Sequence, residues 1–162
     1  MKALLLLLVL TPAAQAQMAV PASRCQPQTV PAAKKTTMTM PDGKKIQIDL
    51  VDTPMSREVG LMCVTKMPRT YGMLFVFPQD MQLGFWMKNT LVPLDIIWVG
   101  PDKKITTIHE KLRESTVDTP DDKVATASGQ GQFVLELASG EASRRKLKVG
   151  DQLRFTASIP EK

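Results

Sequence analysis

Apolar and polar residues alternate along this chain mostly with a strand period. Thr36–Met40 and Lys44–Val51 are two β-prone runs joined by Pro41-Asp42-Gly43, a turn sequence that predicts a hairpin. In the second run Ile46, Ile48 and Leu50 alternate with Gln47 and Asp49, which buries one face. Thr53-Pro54 then opens a short helix, with Thr53 as cap and Pro54 at the first helical position. Met55, Val59 and Met62 share one face of it.

The densest apolar stretch runs from Gly72 to Val99 and holds three of the five Phe and both Trp. Its runs Met73–Phe77, Leu83–Met87 and Leu94–Val99 lie between Pro, Gly and Asn breakers and read as buried strands. Lys104–His109, Val124–Ser128, Phe133–Leu137 and Gln152–Ile159 complete the strand set. Glu110–Lys123 is a polar loop with an acidic tip at Asp118–Asp122, and Ser139–Lys146 is a short helix or turn. The pattern predicts a mainly β domain over 36–160. It has eight or nine short strands and one or two short helices, arranged as a barrel or a sandwich.

The start of the chain changes the setting. Lys2, the apolar run Ala3–Leu10 and Ala14-Gln15-Ala16 have the layout of a secretory signal peptide cleaved near Ala16. The run is shorter than the roughly 20 residues that span a bilayer. The expected location is periplasmic or secreted, with no transmembrane segment. Residues 17–35, with Pro21, Pro27 and Pro31, read as a linker or irregular lead-in. Export permits a Cys25–Cys63 bridge closing a loop of about 38 residues, worth about 3–4 kcal/mol; two separate thiols are the other arrangement. The net charge of +5 is modest and its basic pairs sit beside turns, so nucleic acid is not the expected partner.

Gly60–Met62 (GLM), Gly72–Phe77 (GMLFVF), Phe85–Val99 (FWMKNTLVPLDIIWV) and Phe133–Gly140 (FVLELASG) together resemble the bacterial and archaeal family called domain of unknown function 192. The resemblance implies a compact β-rich single domain and no established activity. The family usually has Arg two residues after GLM. Here that place is Val64, preceded by Cys63.

Lys88, Asn89 and Asp95 interrupt the apolar block. A charge there must reach water or find a partner, and a Lys88–Asp95 pair braced by Asn89 is the expected solution. Alternatively, the three residues simply lock a turn. With Trp86 they would edge a groove at the FWMKNT turn, suited to a sugar-like or peptide ligand. Arg57 and His109, the single histidine, are further binding candidates. Glu136, inside a strand, is a further candidate that reads more simply as solvent-facing. The leading functional expectation is therefore a non-catalytic binding module of the cell envelope, without cofactor or metal. A small hydrolase or transferase using Asp95 with His109 or Glu110 is a second possibility. It lacks a nucleophile motif. A copper or redox protein using methionines and Cys63 is a third: six of the ten methionines fall between Met55 and Met87, and Met38 and Met40 share a strand face.

Overall fold

The computed structural model describes Cys25 and residues 34–160; the signal-peptide segment and most of the lead-in lie outside the described residues. Six strands form one sheet: β1 (Lys34–Thr39), β2 (Lys45–Val51), β3 (Tyr71–Trp86), β4 (Leu94–Val99), β5 (Ile105–Leu112) and β6 (Thr126–Ala138). Their order across the sheet is β1-β2-β3-β6-β4-β5, with β2 and β3 parallel and the other pairs antiparallel. Helix α1 (Pro54–Val59) makes the crossover between the parallel pair, and α2 (Glu141–Arg144) follows β6. Among the described residues no helix is long and apolar enough to cross a membrane.

The domain is mainly β, as the alternation predicts, but its strands are fewer and longer. Met73–Phe77 and Leu83–Met87 fall on the single strand β3, and the two runs around Gly129 fall on β6. Pro78 does not end β3, because it sits where the register against β6 shifts between Val76 and Met81. A bulge is one of the few strand positions that tolerates proline. Gly129 does not end β6 either. A Cβ there would lie 2.8 Å from Cγ of Trp98, so the glycine lets the strand press against the indole. The predicted last strand is reduced to isolated bridges, Thr39 with Arg154 and Lys104 with Gln152.

Both faces of the sheet are covered. On one, Met38, Met40, Ile48, Leu74, Ile97, Leu135 and Leu137 pack with Ala142 of α2 and with Leu153 and Phe155. On the other, Met73, Phe75, Ile96, Trp98 and Val134 pack with Leu61, Leu83, Met87 and Ala127. Trp98 spends its indole N–H on the Leu83 carbonyl, which lets the ring be fully buried. The ends of β3 and β6 curl over this second face toward β5. There Thr106 Oγ1 donates to the Gln130 carbonyl, and His109 Nε2 lies 3.0 Å from the Ser128 carbonyl. The sheet stays open, but the C-terminal segment joins its two edges. Thr39 and Arg154 exchange backbone bonds, while Leu153 N–H donates to Lys103 and Ile105 N–H to Asp151.

Cys25 and Cys63 are bridged, with Cα atoms 5.3 Å apart. The bridge abuts the Asn89 turn: Cys63 N–H donates to the Asn89 carbonyl at 2.8 Å. A Cys25→Ser/Cys63→Ser double variant should lose up to about 3–4 kcal/mol in urea unfolding. Wild-type protein under reducing conditions should match it.

Candidate functional site

Leu135 and Leu137 point to the first core cluster, so strict alternation turns Glu136 to the second. It stands opposite Met73 on β3 and Ile96 on β4. The expectation of a solvent-facing Glu136 fails for a physical reason. Alternation assigns a side chain to a face, and here both faces are covered. The residue is only 5% exposed, and its Oε2 has no hydrogen-bond partner. Burial pushes its pKa up to about 8.

What covers Glu136 is α1 and the turn after β3. Thr53 caps the helix by accepting from Ser56 N–H at 3.1 Å, and Ser56 Oγ accepts from Thr53 N–H at 3.0 Å. Gly60 ends it at φ +45, with the Phe75 ring 3.1 Å from where a Cβ would stand. The chain thereby turns closely over Phe75 and carries Val59–Met62 across the sheet. A cleft of about 50 Å³ remains between Arg57–Met62, Phe75, Phe85, Trp86, Lys88, Thr90 and Glu136. Arg57 is fixed at its rim: its Nη1 donates to the Asp52 and Val76 carbonyls at 2.7 and 2.9 Å, and its guanidinium lies over Phe77. Beyond Trp86, which is 52% exposed, lies a shallower groove of about 620 Å³. Gly84, Phe85, His109 and Thr126–Ser128 line it, and Trp86 belongs to both depressions.

Three of the residues predicted from sequence, Arg57, Trp86 and Lys88, line the cleft, and His109 lines the groove with Trp86. The His109 ring also packs edge-on against Trp98. The Lys88–Asp95 pair does not form. Lys88 pairs instead with Asp121. Asp95 is fully buried on the first face, accepting from Lys111 and Gly140 N–H through Oδ1 at 2.8 and 3.0 Å and from Ala142 N–H through Oδ2 at 2.8 Å. Three backbone donors from two places in the chain, β5 and the start of α2, satisfy it, so it needs no lysine. Asn89 takes a turn conformation at φ +53 with its Oδ1 buried and unpaired, outside the cleft. Because Asp121 is 75% exposed, Lys88→Ala should cost under about 1 kcal/mol in urea unfolding. It should also be additive with Asp95→Ala.

The other chemical arrangements do not assemble. Glu110 bonds to Ser143 of α2, His109 faces the groove, and Asp95 is enclosed under α2, so the three share no pocket. Cys63 is in a disulfide rather than a thiolate, and Met38, Met40, Met73 and Met87 are core residues. Among the described residues no group of three or more His, Cys, Asp or Glu could hold a metal.

Two solved structures are similar over most of the domain. One is a protein of Sinorhizobium meliloti 1021 described as a candidate transcription regulator. It is 30% identical, with a TM-score of 0.64 over 76% of this chain and 94% of that one. The second is a protein of unknown function from Novosphingobium aromaticivorans DSM 12444. It is 29% identical, with a TM-score of 0.65 over 82% of this chain and 94% of that one. No curated protein gives a significant match. The profile of domain of unknown function 192, described as Uncharacterized ACR, matches residues 36–155, nearly all of the described domain. With the GLM, FWMKNT and FVLELASG segments now placed around one cleft, the chain belongs to the family of domain of unknown function 192.

Proposed function

We propose that this protein is an exported, non-catalytic binding module of the cell envelope whose ligand seats against the Phe85–Trp86 wall. The observation that carries the reading is Glu136. A carboxyl with an unpaired, buried oxygen at the floor of a cleft is costly to the fold unless something uses it. Arg57 and Lys88 at the rim and the exposed indole of Trp86 give a ligand polar and apolar contacts together. Export is supported by the leader-like N-terminus and by the Cys25–Cys63 bridge, which persists in oxidising compartments. For the same reason the regulator description of the Sinorhizobium relative is not carried over.

The test is an NMR titration of the mature protein with acetate, acetamide, methylammonium, glucose and diglycine. At least one should shift the Trp86 indole N–H and the Thr90 amide, and Glu136→Leu or Trp86→Ala should abolish the shift. If no fragment moves those signals, the reading fails. Export is checked separately by the mass of protein from the native host, which should begin at Gln17.

A further inference from the structure

We propose, building on the binding-module reading, that the cleft takes the carboxylate of an acidic sugar, with one of its oxygens on Glu136 and the sugar ring over Trp86. Three independent features lead there. The first is the donor. Glu136 is enclosed by Phe75, Phe85 and the end of α1, and no ion pair of the described residues includes it. A buried carboxyl without a cation stays protonated and offers a hydroxyl hydrogen, so its natural partner is an acceptor oxygen. Its raised pKa has burial as its cause and agrees with this.

The second feature is the charge at the rim. Arg57 and Lys88 face the same cleft, and Glu58 is exposed on its α1 side. The other groups near Glu136 leave this balance unchanged: Met73 and Ile96 flank it, and Tyr71 is held neutral mainly by burial and by the Asp49 charge. An anionic oxygen inserted here meets a neutral donor below and the Arg57 guanidinium at the rim, with Lys88 paired to Asp121 and Glu58 on the outer side, whereas an ammonium group would find no carboxylate at the floor to pair with. The third feature is size. About 50 Å³ accommodates a carboxylate and little more, so the rest of the ligand must lie outside. Outside, the exposed face of Trp86 continues into the groove with Gly84, Thr126, Ser128 and His109. Apart from its chain neighbours, no atom lies within 4 Å of where a Gly84 Cβ would stand, so the groove is open there. A pyranose ring presents C–H groups suited to an indole and hydroxyls suited to Thr, Ser and His side chains.

Glucuronate, glucose and 6-amino-6-deoxyglucose test this, because they share a ring and differ only at C6, the group that would enter the cleft. They are titrated into the mature protein at pH 6 and followed at the Trp86 indole N–H. Glucuronate should bind about tenfold more tightly than glucose, with 6-amino-6-deoxyglucose weakest. Its affinity should fall about tenfold by pH 9, where Glu136 loses the donated proton. Glu136→Gln keeps a donor and should retain binding without that pH dependence, while Glu136→Leu should erase the preference over glucose. Equal affinity for glucuronate and glucose would overturn the carboxylate assignment and leave the binding module standing, as would tighter binding of 6-amino-6-deoxyglucose. No shift with any of the three sugars would also overturn it; the fragment titration decides the broader reading separately.

Discussion

Asp95→Ala should cost about 4 kcal/mol in urea unfolding, with an unchanged m-value and no effect on ligands at the cleft. The carboxylate is fully buried and accepts three backbone N–H groups, those of Lys111, Gly140 and Ala142. Truncation leaves all three donors enclosed and unpaired, at about 1–3 kcal/mol each. Partial relaxation and water entry keep the sum below its maximum. Asp95→Asn should lose roughly half as much, since Oδ1 can keep its two donors while an amide group would face the Ala142 N–H. A loss below about 1 kcal/mol for the alanine variant would show that these bonds do not hold α2 and β5 to β4.

Glu136 should make the protein less stable as pH rises from about 4.5 to about 8. In the unfolded chain the carboxyl titrates near its ordinary value of 4.5, and in the folded protein burial raises it to about 8. Between those values the native state holds a proton that the unfolded state has released, so stability declines as pH climbs and levels off above the folded value. The full difference corresponds to up to about 5 kcal/mol. Glu136→Gln cannot titrate. The gap between variant and wild type should therefore be smallest near pH 4 and widen toward pH 8 in favour of Gln. Urea unfolding at pH 4, 6, 7 and 8 measures it, and parallel curves for the two proteins would show that Glu136 ionises normally in the fold.

The sequence pointed to a stretch that lines the candidate cleft but not to its floor. Lys88 was legible as a charge that interrupts an apolar run, Trp86 as the large aromatic beside it and Arg57 as a charge at a helix start, and all three line the cleft. Glu136 was not, because the alternation of Phe133–Leu137 gives the same signal for a wet face and for a face covered by α1. Asp95 was legible as a buried charge but not by partner. Its donors are backbone N–H groups at 111, 140 and 142, which have no side-chain signature. The β-rich class and the first hairpin follow directly from periodicity and Pro41-Asp42-Gly43. The strand count does not, because Pro78 and Gly129 read as breaks when a bulge and a close indole contact accommodate them within continuous strands.

The way the C-terminal segment and the β5 side chains meet the sheet bears on behaviour at high concentration. An open sheet normally presents two rows of unpaired backbone groups, each a template for a strand from another molecule. Here Thr106 and His109 occupy carbonyls of β6 that a visiting strand would need, and the 150–155 segment ties up the Thr39 end of β1 and the start of β5. Among the described residues the front of β1 pairs with no other strand on its outer side, and Lys34 and Lys35 there are exposed, paired with Asp52 and Asp49. Two adjacent lysines on that edge, exposed even in their ion pairs, discourage strand addition, so the protein should resist self-association into β-rich aggregates.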